Sequence, residues 1–414
     1  MGEVPISQRD SSAEMSADAL VFNPYDYDLQ DDPYPTYARL REEAPLYHNA
    51  DIGFWALSRH ADVLGGFRDA RRLSSANGVS LDPAAYGPHA HRTMSFLAMD
   101  DPRHMRMRQL VSRGFTPRRV AELGERIHEL TVQYLEPALD AGEFDWIGEV
   151  AGKLPMDVIS ELMGVPEADR SELRRLADLV VHREDGVQDI PPAAIDASMK
   201  LLDYYVDMLA ERRRSRTTDL TSALVDAEMD GDKLTDGEII AFLFLMVVAG
   251  NETTTKLLGN AAFWGSRNPD EVALVLRDPG LAPQWVEETL RYDTSSQILV
   301  RTAAVDLDYH GRTVPAGERV LLLVGSANRD PRVFDEADEF RIGRDSTSKL
   351  ASFGSGTHFC LGAHLARLEA NIALAELARR VKQFEVDEAA SVRVHSSNVR
   401  GFASLPMKVK LRSA

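Results

Sequence analysis

Between Ile239 and Val248 every position is apolar, Ile-Ile-Ala-Phe-Leu-Phe-Leu-Met-Val-Val, so a helix formed there has no polar face to turn to water. Just upstream, Thr235 and Glu238 have the spacing of a capping box, in which the two side chains satisfy the first free backbone N–H groups of a helix. Together these signals predict a helix over 235–264 that passes through the centre of the fold. At 1.5 Å per residue it would reach roughly 45 Å, the width of a domain of this size. Ala249-Gly250-Asn251-Glu252-Thr253-Thr254 interrupts the apolar run. Gly250 weakens the helix there, and Thr253 can bond a carbonyl one turn back and bend the ladder.

Helical periodicity also fills 117–228, with breaks near Gly142, Gly164, Pro191 and Thr217. It returns over 363–381, where Leu365, Leu368, Ile372, Leu374 and Leu377 are the apolar positions. Shorter helices are predicted near 37–41 and 59–67. Alternating runs predict a hairpin over 46–57, short strands over 299–324, and a hairpin over 392–411 with Gly401 to Leu405 at its tip. The stretch 74–99 has no sustained period and is punctuated by Gly78, Pro83, Gly87 and Pro88, so it reads as a long loop of the kind that forms lids and binding walls. His182-Arg183-Glu184-Asp185 reads as a hydrated loop, or as one reaching a ligand's polar end. The expectation is a mainly α chain with a small β region: one domain over 21–414, preceded by a mobile tail over 1–20.

Composition narrows the function. The 414 residues are 44% hydrophobic, enough for a large core. The net charge of −18 disfavours a nucleic-acid partner, since phosphate binding needs a basic face. One cysteine excludes an intramolecular disulfide and fits a reducing cytosol, so a cytoplasmic location is expected. The first twenty residues lack the apolar core of a signal peptide, and the run over 239–250 is short of the roughly 20 residues a membrane span requires.

That one cysteine, Cys360, lies between a glycine-rich turn and a predicted helix. At a helix start, free N–H groups and the helix dipole lower a thiol's pKa, and the thiolate is a soft ligand for iron. Gly354 and Gly356 let the chain turn tightly and approach a flat ligand. A buried structural thiol would explain a lone cysteine equally well. In 101–108, His104 and Arg108 fall four apart on one helix face, either as part of a solvated basic helix or as ligand contacts.

The stretch 353–362, Phe-Gly-Ser-Gly-Thr-His-Phe-Cys-Leu-Gly, resembles the haem-thiolate signature of the cytochrome P-450 family, Phe-Gly-x-Gly-x-His-x-Cys-x-Gly, at every fixed position. The resemblance extends from about residue 23 to the end. It implies the fold of that family, with haem b (iron protoporphyrin IX) between the long central helix and the cysteine-bearing helix. It makes Cys360 the axial iron ligand, with Phe353, Gly354 and Gly362 around it, and gives His358, His104, Arg108 and Arg301 to the haem propionates. Ala249, Gly250, Glu252 and Thr253 resemble the family's cofactor-facing acid–alcohol segment. There Thr253 would hold water and Glu252 would relay the protons that dioxygen cleavage consumes. Glu288 and Arg291 match its Glu-x-x-Arg structural pair. The Ser-Pro that usually follows is absent, and Thr294-Ser295-Ser296 stands in its place. Phe96, Leu97, Met99, Phe242, Val248, Leu299, Val300 and Phe402 are candidates for an apolar substrate pocket.

The activity the resemblance implies is a monooxygenase acting with dioxygen on an apolar small molecule. Since the chain shows no flavin or iron–sulfur motif, electrons would come from a separate ferredoxin and ferredoxin reductase. Arg103, Arg106, Arg108, Arg113, Lys349 and Arg367 are the candidate basic docking patch. A peroxide-driven or nitric-oxide-reducing enzyme and a non-catalytic haem-thiolate ligand-binding protein are the rival readings.

Overall fold

The computed structural model describes residues 20–112, 115, 117–229 and 231–412. The tail expected over 1–20 and Arg113 lie outside the described residues, apart from Leu20. Helices dominate, and the central helix, Asp236–Arg267, organises them. Its start is the expected capping box: Thr235 Oγ1 accepts from the Glu238 N–H at 3.3 Å, and Glu238 Oε2 accepts from the Thr235 N–H at 3.0 Å. This helix is long and apolar enough by composition to cross a membrane, but 56% of its most apolar window is buried inside the protein, as a core helix requires.

The central helix feeds two cores. Its first half packs Ile239, Phe242, Leu243 and Val247 among the helices Glu167–Val181 and Pro192–Arg214. Its second half packs Leu257, Leu258, Ala261 and Phe263 against the helices Ala282–Tyr292 and Ala363–Arg380. Each buried Leu, Ile or Phe adds about 1.5–3 kcal/mol to such a core. Residues 249–254, small or polar, lie between the two cores, and this is where a cavity opens.

The β region is mainly a five-stranded sheet in the order Leu46–Asn49, Phe54–Leu57, Arg319–Leu323, Ile298–Ala303, Leu73–Ser74. Arg319–Leu323 runs parallel to Phe54–Leu57, with Leu321 opposite Ala56, and antiparallel to Ile298–Ala303, with Leu321 opposite Val300. The hairpin expected over 392–411 is instead divided between sheets. Val392–Arg393 pairs with Phe402–Ser404, whereas Pro406–Leu411 runs between Val381–Val386 and Glu143–Asp145. The change of sheet follows from Asp145, whose Oδ1 takes the Leu405 N–H at 2.7 Å.

The 74–99 segment has only short turns of regular structure, as expected, but it is tied down. Ser75 N donates to Asp100 Oδ1 at 2.8 Å, Val300 N to the Val79 carbonyl at 2.9 Å, and Tyr86 shares a hydrogen bond with Thr302. His182, Glu184 and Asp185 are exposed, as a hydrated loop requires, but Arg183 departs from that reading. It is buried, and its Nη2 lies 2.8 Å from Oδ2 of the fully buried Asp82, clamping the segment to the connection after Glu167–Val181.

Candidate active site

A cavity of about 230 Å³ lies between the central helix and the cysteine turn. Met246, Ala249, Gly250, Thr253 and Leu257 line it from the central helix, the i, i+3, i+4, i+7, i+11 series of one helical face. Phe353, Gly354, His358, Cys360, Gly362 and Leu365 line the opposite wall. Thr253 Oγ1 donates to the Ala249 carbonyl at 2.8 Å, the back-bond expected of it, which leaves its lone pairs toward the cavity free to accept.

The cysteine turn is built by Cys360 N donating to the Phe353 carbonyl at 3.0 Å, with a 3₁₀ turn over Gly356–His358. Gly354 and Gly356 have φ of 66° and 72°, which only glycine adopts without strain. Gly354 lines the cavity, where the lack of a side chain leaves room, while Gly356 serves packing. A Cβ on Gly356 would lie 3.0 Å from the Phe67 carbonyl oxygen, so this glycine seats the turn on the helix His60–Arg68. At Gly362 a Cβ would meet nothing within 4 Å.

Cys360 is exposed, but the surface it exposes faces the cavity. Burial raises its thiol pKa above the ordinary value; hydrogen bonds from the Gly362 and Ala363 N–H groups, and the charges of Arg108 and Arg367, oppose this without cancelling it. The expectation of a lowered pKa from the helix start is therefore corrected. The helix begins at Ala363, three residues on, and its help is smaller than the desolvation. A bound cation would complete the environment that holds this sulfur as thiolate.

Near the sulfur is a cluster of two histidines and two arginines, three of whose nitrogens lack a hydrogen-bond partner. The rings of His104 and His358 lie 4.0 Å apart. His104 Nε2, His358 Nδ1 and Arg108 Nη1 are buried without a hydrogen-bond partner. Arg301 is buried, with one nitrogen on the Val300 carbonyl at 2.8 Å, and burial pushes its pKa down to about 10 against the pull of Asp100. Burial, with the charges of Arg301, His104 and Arg108, drives His358 down to about 3, so it stays neutral. His358 and Arg301 line the cavity; His104 and Arg108 stand behind them, Arg108 holding the Phe359 carbonyl at 2.6 Å. Such a donor set calls for a ligand with carboxylates, and with a sulfur ligand alongside it fits haem, whose two propionates would satisfy the unpaired nitrogens.

Glu252 stands differently from expectation. It is neither hydrated nor on the cavity lining: it is 1% exposed and lies 3.2 Å from the Nζ of Lys256, which is also buried. The Lys256 stem packs under Gly401, where a Cβ would fall 2.5 Å from it. Asp178, on Glu167–Val181, is a neighbouring acid whose carboxyl acts electrostatically on Glu252, both of whose carboxylate oxygens lack a hydrogen-bond partner. Burial and the Glu252 carboxylate push the Asp178 carboxyl up to about 8.

Glu288 and Arg291 form a fully buried pair at 2.7 Å, and Arg291 also donates to the carbonyls of Asn328, Ala337 and Glu339. The pair thus pins the winding segment that leads to the cysteine turn.

Of the candidate pocket residues, Phe96, Leu97 and Leu299 line the cavity. Four others do not. Val300 faces the opposite side of its strand from Leu299 and Arg301, Val248 lies off the lining face of the central helix, and Phe242 sits behind the rings of Phe96 and Phe115. Phe402 packs on Phe263 in the core, which also turns the 401–405 tip away from the cavity; Met99 is likewise a core residue. Sequence reasoning missed Thr254, Ser296 and Glu369 on the lining, and Ser295, whose Oγ donates to the Thr253 carbonyl at 2.7 Å. The absent Ser-Pro was the one signal that this wall differs.

The family model described as Cytochrome P450 matches residues 280–412. The chain is 62% identical over 393 residues to a protein provisionally named cytochrome P450 123 from Mycobacterium tuberculosis, covering 95% of this chain and 98% of that one. It is 37% identical over 389 residues to a vitamin D(3) 25-hydroxylase of Pseudonocardia autotrophica, covering 92% and 95%. Among solved structures, the bacillaene polyketide synthase cytochrome P450 PksS of Bacillus subtilis 168 superposes with a TM-score of 0.85 at 32% identity, covering 94% of this chain and 100% of that one.

Proposed function

Because the chain belongs to the cytochrome P450 family, we propose that it is a haem b monooxygenase that inserts one atom of dioxygen into an apolar small molecule, with electrons from a separate ferredoxin and its reductase. One observation carries this reading: a cysteine sulfur lines a largely apolar cavity with His358 and Arg301, and unpaired buried nitrogens of His358, and of His104 and Arg108 behind it, lie beside that wall. When bound, haem supplies the dioxygen activation and the transfer of one oxygen atom. Cys360 would hold it through sulfur, its charge tempered by the Gly362 and Ala363 N–H groups. His358 and Arg301, backed by His104 and Arg108, would bind its propionates. Thr253 would hold a water in the cavity as proton carrier, which favours oxygen activation over the peroxide-driven and nitric-oxide-reducing alternatives.

Phe96, Leu97, Met246 and Leu299 favour an apolar substrate, as does the likeness to a vitamin D(3) hydroxylase. We place the enzyme in the cytoplasm. For the electron donor, the expected patch is weaker than its sequence: Arg106 pairs with Asp232 and Glu238, Arg367 with Glu287, and Arg108 is half-buried behind His358. Arg103 and Lys349 remain exposed there, beside Met105 and Phe359. Docking should therefore respond only modestly to ionic strength.

The test is spectroscopic. The reduced protein under carbon monoxide should give the red-shifted Soret band of a thiolate-ligated haem, and Cys360→Ser should abolish it. Persistence of that band in the serine variant, or an imidazole-type spectrum in the wild type, would overturn the assignment. Formation of an oxygenated product with a ferredoxin, its reductase and vitamin D3 or another apolar compound that shifts the haem spectrum would separate an enzyme from a non-catalytic ligand-binding protein.

A further inference from the structure

Ser296 lies on the cavity wall in the segment where the usual Ser-Pro is absent, and it is half-buried there. Its short bridge to Val399 is closed by its neighbours: the Gln297 N–H donates to the Asn398 carbonyl at 2.9 Å, and the Arg400 N–H to the Ser295 carbonyl at 2.8 Å. Such pairing turns the N–H and carbonyl of Ser296 away from Val399, and among the described residues neither they nor its hydroxyl has a hydrogen-bond partner. The other hydroxyls of the wall are engaged or recessed. Ser295 Oγ donates to the Thr253 carbonyl at 2.7 Å, Thr253 Oγ1 to the Ala249 carbonyl at 2.8 Å, and Ser352 Oγ to the Leu290 carbonyl at 2.6 Å, while Thr254 and Thr294 are 3% and 1% exposed. The Ser295 bond also fixes the side on which Ser296 lies. The segment leaves the central helix at Thr253 and reaches the propionate-binding Arg301, so Ser296 stands toward the central-helix side, where an apolar substrate would lie.

Charge narrows the substrate further. The ionisable side chains on the lining are Arg301 and His358, which serve the propionates, with Cys360 and Glu369 on the opposite wall. A carboxylate substrate would therefore find no free cation, and an unpaired charge in an apolar cavity is strongly disfavoured. A pure hydrocarbon would displace water from Ser296 and leave its polar groups unsatisfied. A neutral oxygen avoids both costs.

We propose that Ser296 is the specificity-determining contact of this cavity, hydrogen-bonding to a hydroxyl or carbonyl oxygen of a neutral, otherwise apolar substrate. The inference deepens the monooxygenase reading and rests on it. A substrate hydroxyl can donate to Ser296 or accept from it, and a ketone can accept from its hydroxyl, so either kind of oxygen is held. The rest of this wall, Val79, Phe96, Leu97, Met246 and Leu299, offers apolar contact without direction, so the oriented contact falls to Ser296.

The experiment titrates the full-length holoprotein, wild type and the variants Ser296→Ala and Ser296→Thr, by calorimetry, which needs no turnover. Two matched series are the ligands: dodecane, dodecanol and dodecanoate, and cholestane, cholestanol and cholestanol sulfate. In wild type the alcohol of at least one series should bind about tenfold or more tightly than its anion. From wild type to S296A the alcohol-to-hydrocarbon affinity ratio of that series should fall about tenfold, as expected for a hydrogen bond whose loss leaves a partner unsatisfied. The fall should come from weaker alcohol binding, with the hydrocarbon unchanged or tighter, whereas a merely loosened wall would weaken both alike. S296T keeps a hydroxyl and should restore most of the ratio. An affinity ratio unchanged in S296A, an anion that binds more tightly than its alcohol, or no alcohol bound in either series would overturn the proposal. Absence of the thiolate spectrum in the wild type would instead overturn the monooxygenase reading, while the binding ratio would still be measured.

Discussion

Lys256→Met is the most informative single perturbation. Lys256 Nζ lies 3.2 Å from Glu252 Oε2, and both side chains are almost completely buried. At an effective dielectric of about 20, two unit charges at that separation attract by about 5 kcal/mol. Desolvation offsets much of this for the pair as a whole, but removing one partner leaves the other charge uncompensated, at a cost of about 3–5 kcal/mol. Methionine keeps most of the stem volume packed under Gly401, so the loss reports charge rather than a cavity. Neutralising both partners, K256M with E252Q, should recover most of the loss, and a double-mutant cycle on urea midpoints measures the coupling. Glu252 also sets a pH signature. Burial raises its pKa, but the Lys256 ammonium and the neighbouring Asp178 carboxyl outweigh that and leave it below its ordinary 4.5. A carboxylate whose pKa is lowered by folding gives stability that is complete above the unfolded value and is lost as pH falls through the folded one. Wild type should therefore weaken steeply below about pH 4.5, and K256M should show a flatter acid limb. A K256M loss under about 1 kcal/mol, or strictly additive variants, would refute the reasoning.

Three further outcomes follow from the site and its supports. Thr253→Ala removes the hydroxyl facing the cavity and should raise peroxide released per electron consumed; an unchanged ratio would remove Thr253 from proton handling. Asp82→Ala leaves the buried Arg183 without its carboxylate and should cost about 3–5 kcal/mol. Because the pair clamps 74–99, limited proteolysis in that segment should accelerate, and wild-type cleavage rates would contradict the clamp. Gly356→Ala forces a Cβ onto a residue at φ 72° with the Phe67 carbonyl oxygen 3.0 Å away, and should cost about 1–3 kcal/mol and weaken haem retention. Normal haem content after purification and dialysis would argue against that packing role.

Much of the molecule can be read locally. Hydrophobic period and capping chemistry located the central helix to within a few residues, because a helix's start and its buried faces are properties of neighbouring positions in the chain. The cysteine turn was legible for the same reason: its glycines and Cys360 work within ten residues. Strand alternation would even have separated Leu299 from Val300, had the side facing the cavity been known. The carboxylates were not legible in this way. Nothing near Glu252 in sequence says whether it meets water or Lys256 in a sealed interior, and nothing near Glu369 says that it is buried on the cavity wall without a charged partner. Arg183 looked hydrated because its partner, Asp82, is a hundred residues away.

The chain's own order of residues determined the elements, the sulfur that faces the cavity, and the supply of donors around it. Tertiary packing alone decided which acid was paired, which was left bare, and which apolar side chains became wall rather than core. The physical reason is one of range. Helix caps and periodic faces are set within a few residues, whereas the energy of a buried charge or an orphaned oxygen depends on whatever distant segment folds against it.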